Sequence, residues 1–196
     1  MRTRADIPKK ASFFAPECLG RLQFSRRALL LLVLLALHFS ALAQERPEYE
    51  VKTLWLYNIL KSTDWPAEAF ANKNAPVLVL GVLGKDPFGN FINGLTNKIV
   101  AKKPIVIKRY KSVQEVQGCH VVFISASESS ALPQIFEQLR NSPMVTVGET
   151  AEFTKFGGMI NLSLVDPYKF EFSKKAWQKS GLKIDSRFLA SGKSVP

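Results

Sequence analysis

Cys119 and His120 are the first residues to invite a catalytic reading, since a thiol beside an imidazole is a nucleophile beside its base. Their spacing argues against it. Consecutive residues of a strand project to opposite faces, so these two cannot form a dyad with each other. A metal site built on imidazole or thiolate needs several such ligands, and beyond residue 43 the chain has one of each. A carboxylate-only Ca²⁺ or Mg²⁺ site stays open, but no EF-hand spacing occurs. Ser125, Ser127, Ser129 and Ser130 follow the same apolar run. No G-x-S-x-G elbow surrounds them and His120 precedes them, so a hydrolase triad lacks support. Capping and turn formation are the ordinary uses of such serines. The expectation is a chain with no catalytic residue, no metal site and no cofactor.

Binding is the better use of these residues. Gly84–Gly89 and Ser125–Ser130 fall at the carboxyl ends of expected parallel strands, where open α/β sheets take ligands. Their amides and hydroxyls would face one crevice suited to a small anion or an amphipathic ligand. Gly84–Gly89 is not a phosphate loop, because it matches neither glycine-rich fingerprint. The candidate binding residues are Asp86, Phe88, Ser127 and Glu128 in these loops, with Asn161 just after Gly157-Gly158. Trp55, Tyr57 and Trp65 lie on or just after the first helix. Core packing is their ordinary use, and Trp65 before Pro66 is the candidate anchor for a partner.

The elements that position these residues alternate. Residues 48–63 are expected to form an amphipathic helix that buries Val51, Leu54, Trp55, Asn58 and Ile59. Pro76–Leu83, Pro104–Tyr110, Cys119–Ser125 and Pro143–Val147 read as strands, the first a continuous apolar run buried on both faces and the third, which carries no charge, the most central. Ala67–Ala75 reads as surface connection, and short helices are expected near Phe91–Leu95 and Ser112–Gln117. Leu132, Ile135, Phe136 and Leu139 mark a helix lying on the sheet, capped by Ser129 or Ser130. Glu149–Phe156 reads as a short helix stopped by Gly157. Met159–Val165 and Tyr168–Phe172 form a hairpin around Asp166-Pro167, followed by a helix at Ser173–Ser180, a strand and turn to Ala190, and a frayed tail after Ser191. The fold class is therefore α/β, with a mainly parallel or mixed sheet covered by helices on both faces and a C-terminal antiparallel hairpin.

The amino-terminal segment places the domain. Ser25-Arg26-Arg27, an apolar core from Ala28 to Leu37 and Ala41-Leu42-Ala43 have the order of a secretory signal, with cleavage expected after Ala43. The apolar stretch is too short for a membrane span. No cysteine follows it to take a lipid. Its leucine-rich core favours the general secretory route over a twin-arginine route. Residues 1–43 are expected to form the signal and 44–196 a single periplasmic domain. Removing the signal takes seven basic and two acidic residues and lowers the formal charge from +11 to +6. That is a moderately basic, solvated surface, and without aromatic interleaving it does not indicate nucleic acid. Cys18 also leaves, so Cys119 has no internal disulfide partner. Its place at the head of an apolar run favours burial over an intermolecular bridge.

Taken in order, several segments resemble the YfiR family of bacterial periplasmic proteins. They are Tyr49-Glu50-Val51-Lys52, Leu56-Tyr57-Asn58 with Trp65-Pro66, Gly81-Val82-Leu83-Gly84 with Asp86-Pro87-Phe88-Gly89, Gly118-Cys119-His120 through Glu128, Phe156-Gly157-Gly158-Met159-Ile160-Asn161, and Lys169-Phe170-Glu171-Phe172 leading to Gly181-Leu182-Lys183-Ile184. The resemblance implies a non-catalytic α/β domain that forms a homodimer. It also implies repression of a membrane-bound diguanylate cyclase through its periplasmic side, relieved by an outer-membrane lipoprotein. The alternative reading is a periplasmic small-ligand receptor. Relatives in that regulatory system carry extra cysteines for internal disulfides. This chain has only Cys119 beyond the signal, so disulfide-based stabilisation and redox sensing are not carried over.

Overall fold

The uncharged run Val121-Val122-Phe123-Ile124 is a central strand, buried at every position. A strand with no wet face must be covered on both sides, and that requirement organises the rest. The computed structural model describes residues 48–70, 77–140, 142–162 and 170–196, all within one compact unit, Leu42–Pro196. The signal-like segment 1–43, residues 71–75 and the Asp166-Pro167 turn lie outside the described residues.

The elements are helix α1 (48–62), β1 (Thr63–Asp64), a 3₁₀ turn (Ala67–Phe70), β2 (Leu78–Leu83), α2 (Asn90–Asn93), β3 (Ile99–Val100) and β4 (Lys103–Tyr110). They continue with β5 (Val121–Ile124), a 3₁₀ turn (Ala126–Ala131), α3 (Leu132–Leu139), β6 (Val145–Gly148), β7 (Ile160–Asn161) and β8 (Glu171–Ser173). The chain closes with α4 (Lys174–Ser180), β9 (Lys183–Ile184), α5 (Ser186–Leu189) and β10 (Lys193–Val195). The main sheet has the order β10-β8-β7-β6-β5-β2-β4-β3. Strands β4, β2, β5, β6 and β7 are mutually parallel, while β3 and β8 join antiparallel. The expected hairpin is present as β7 and β8, with Ile160 opposite Phe172.

Alternation along the strands sorts two cores. Leu78, Leu80 and Val82 of β2 join Val121, Phe123, Val145 and Val147 on one face, under Leu56, Ile59 and Leu60 of α1 and Trp177 of α4. Val79, Leu83, Val122 and Ile124 face the other way, onto Leu132, Ile135 and Leu139 of α3. This is the period-two pattern of a sheet between two helical layers. Truncating one of the fully buried leucines or isoleucines to alanine costs about 2–5 kcal/mol.

Four expectations need correction. The buried stripe of α1 is Lys52, Thr53, Leu56, Ile59 and Leu60, whereas Val51, Leu54 and Asn58 face solvent. Two polar residues occupy the buried side because each finds a partner. Thr53 donates its hydroxyl to the Tyr49 carbonyl at 2.7 Å, and Lys52 is held by carboxylates. The cap before α3 comes from Ser125, whose Oγ accepts from the Ser127 N–H at 3.4 Å, so the helical path starts four residues before the expected cap. The expected helix at Glu149–Phe156 is replaced by successive turns over residues 151–157. The tail is not frayed: Lys193–Val195 pairs in parallel with β8, and the Lys193 N–H donates to the Phe170 carbonyl at 2.9 Å.

Candidate functional site

Strand order reverses between β2 and β5. The chain leaves β2 to build β4 on one side, then crosses over to build β5 on the other. A crevice at the carboxyl ends of β2 and β5 is where such a sheet takes a ligand. Gly84 and Ser125 stand there, and the two expected loops do meet. The Lys85 N–H donates to Ser127 Oγ at 3.0 Å, and the Ser127 hydroxyl donates to Glu128 Oε1 at 3.0 Å. Gly84 makes this approach possible. Its φ is +86°, and a Cβ there would lie 2.5 Å from Ser127 Oγ and 2.6 Å from Glu128 Oε1. The protein's own side chains therefore fill the space between the loops.

The flanking carboxylates are committed in the same way. Asp86 Oδ1 accepts from the Phe88 N–H at 2.8 Å and Oδ2 from Arg109 Nε at 2.7 Å, while Arg109 Nη2 donates to Asn93 Oδ1 at 3.0 Å. One strand further on, Glu149 Oε1 accepts from the Ala126 N–H at 3.1 Å and its Oε2 lies 2.7 Å from Lys52 Nζ. Lys52 also pairs with Glu48 at 2.6 Å and sits 4.7 Å from the centre of the Tyr49 ring. Lys52 is 4% exposed and Glu149 5%, so this is a desolvated ion pair that ties the start of α1 to the end of β6.

The six residues singled out from the sequence do not form one site. Asp86, Ser127 and Glu128 come together at the β2–β5 edge. Phe88 lies beneath them, 1% exposed, edge-on to Tyr49 and Phe123 at ring distances of 5.4 and 4.7 Å. Asn161 is buried at the end of β7, two strands from β5, and its Oδ1 has no partner among the described residues. Trp65 lies at the opposite edge. Its Nε1 donates to the Leu60 carbonyl at 2.9 Å, and its ring meets His120 edge-on at 5.4 Å.

His120 belongs to that far edge as well. It stacks on Phe70 at 4.8 Å, and its Nδ1 accepts the Val79 N–H at 3.1 Å. Ser125 lies five positions further along, across the four residues of β5 and about 16 Å at the usual rise, so His120 cannot serve as base to the serines. Cys119 is buried on the α3 side and donates to the Tyr110 hydroxyl at 3.2 Å. Gly81 makes room for this pair, since a Cβ there would lie 2.8 Å from Cys119 Sγ and 2.8 Å from the Tyr110 ring. Burial, and then the hydrogen bond with Cys119, push the Tyr110 hydroxyl far above the ordinary tyrosine range. No group of three or more His, Cys, Asp or Glu among the described residues is arranged to hold a metal ion.

Lys52 and Glu149 escaped the sequence reading. The signal was present: Lys52, Leu56, Ile59, Leu60 and Thr63 make an unbroken helical stripe, interrupted in polarity only by the lysine and the threonine.

Fold and site together define a three-layer α/β domain whose polar groups at the sheet edge are bound to one another. The chain belongs to the YfiR/HmsC-like family, which it matches over residues 49–193. Membership supports a regulatory role in the periplasm. No curated protein is similar to the chain in sequence. Among solved structures, a conserved domain protein from Vibrio cholerae O1 biovar El Tor shares the fold at a TM-score of 0.50 and 11% identity. That likeness covers 76% of this chain and 60% of the Vibrio chain. The ABC domain from Streptococcus pneumonia, solved in complex with L-Trp, gives a TM-score of 0.44 at 12% identity, over 61% of this chain and 55% of that one. No helix of the described residues is long and apolar enough to cross a membrane.

Proposed function

We propose that the chain is a non-catalytic periplasmic regulator that binds the periplasmic part of an inner-membrane signalling enzyme, a diguanylate cyclase, and holds it in its inactive state. Family membership across residues 49–193 is the observation that carries this reading. The geometry favours it too, because the crevice that would hold a substrate is filled by Ser127 and Glu128. Regulation then works through differential affinity for the two states of the enzyme. The contact face is the outer side of α1, where Val51 is 37% and Leu54 55% exposed. The regulator acts as a homodimer, and an outer-membrane lipoprotein relieves repression by sequestering it.

Deleting the gene and measuring cellular cyclic-di-GMP tests the reading. The level is expected to rise, and wild-type chain but not Leu54→Asp restores it. An unchanged level across growth conditions overturns the proposal. Pull-down from solubilised membranes with wild type and Leu54→Asp identifies the enzyme that is held.

A further inference from the structure

A second opening lies away from the β2–β5 edge. A cleft of about 630 Å³ runs between α3 and α4, with Met144 and Met159 in its lining. Phe136 of α3 and Phe156 of the turns after β6 form apolar walls, and Phe156 is 43% exposed. The volume falls within the range of small-molecule sites, which combine apolar walls with a few fixed polar groups.

The charges around this cleft are one-sided. Arg140, Lys155, Lys175 and Lys179 line it against two carboxylates, the Glu137 side chain and the terminus at Pro196. Glu137 is taken by Arg140 at 3.0 Å, and Lys155 is held by Glu152 at 2.8 Å. Lys175 and Lys179 are left with no carboxylate in salt-bridge range among the described residues. They stand one helical turn apart on α4, and like charges at that spacing repel. Two unpaired ammonium groups beside aromatic and thioether walls match a ligand with one anionic end and one apolar body.

We propose that the α3–α4 cleft binds a compact organic anion, a carboxylate or sulfonate on an aromatic or aliphatic body, with Lys175 and Lys179 neutralising the charge and Phe136 and Phe156 enclosing the apolar part. The proposal does not rest on the cyclase reading. It concerns a different face of the domain, and its test involves no partner protein.

The chain's three methionines supply the readout, because two of them line the cleft. Methyl-¹³C methionine labelling places reporters at Met144 and Met159, and 1-naphthoate is titrated against its uncharged analogue 1-naphthamide. Naphthoate is expected to shift both cleft methyls saturably and to bind at least about tenfold more tightly than the amide. In K175Q/K179Q its affinity falls to that of the amide, while amide binding stays the same. Both lysines are exposed, so the ligand-free methyl spectrum of the double variant stays as in wild type. Equal affinity for anion and amide, undiminished naphthoate binding in K175Q/K179Q, or unmoved cleft methyls at millimolar naphthoate overturns the proposal.

Discussion

Lys52 Nζ lies 2.7 Å from Glu149 Oε2, with both side chains withdrawn from solvent, and this contact joins residues 97 positions apart in sequence. A buried pair of this kind adds little net stability over an apolar replacement, but removing one partner strands the other charge. Lys52→Met is expected to cost about 3–5 kcal/mol. Lys52→Met/Glu149→Leu recovers much of that loss. Urea denaturation of the two single variants and the double variant measures the coupling, and additive losses would refute the pairing.

Gly84 faces two separate obstacles to any side chain, its positive φ and the Ser127–Glu128 oxygens above it. Gly84→Ala is expected to destabilise by about 1–3 kcal/mol. Adding Glu128→Ala clears part of the space but leaves the backbone strain, so rescue is partial. Thermal melts of the single and double variants separate the two contributions.

Tyr110 and Cys119 set an alkaline limit. The folded state holds the Tyr110 proton above the ordinary value of 10.0, so between that value and its own higher one the folded state binds more protons than the unfolded. Stability contributed by this group is full below pH 10 and declines as pH rises beyond it. Tyr110→Phe is expected to flatten that decline in denaturation curves taken across alkaline pH. In the same fold the Cys119 thiol is shielded, so a thiol-reactive dye labels it only after unfolding. Rapid labelling of native protein would contradict the burial.

His120 supports the far edge of β2 by accepting the Val79 N–H. Replacing it with leucine leaves that donor unsatisfied and is expected to cost about 1–3 kcal/mol beyond lost packing. Asparagine offers an oxygen near the position of Nδ1, so His120→Asn is the milder change. Hydrogen exchange of the Val79 amide distinguishes the two, faster in His120→Leu than in His120→Asn.

Much of the fold was legible because its pattern is local. Continuous Val, Leu and Ile runs specify strands buried on both faces, and period-two alternation assigns Val121 and Val122 to opposite cores whatever the neighbours are. The spacing of Leu132, Ile135 and Leu139 likewise fixes which face of α3 is apolar. Meeting of the Gly84 and Ser125 loops followed from parallel topology alone. The edges were not legible. Ile99–Val100 and Lys193–Val195 are too short to announce themselves, and their pairing depends on what β4 and β8 leave exposed.

The face of α1 shows the same limit most clearly. By apolar count, the stripe through Val51 and Leu54 competes with the stripe through Lys52 and Thr53, and it loses because Glu149 waits at the end of β6. A buried lysine is costly in isolation and tolerable beside a buried carboxylate, which no window of local sequence can show. Sequence by itself determined the strand cores, the apolar face of α3 and the burial of Cys119, since these depend on residue type and period. Tertiary structure alone decided that the β2–β5 crevice is filled, that Trp65 and Asn161 lie apart from it, and that unpaired lysines gather at the α3–α4 cleft. Those facts depend on distances between segments remote in the chain, and only packing sets such distances.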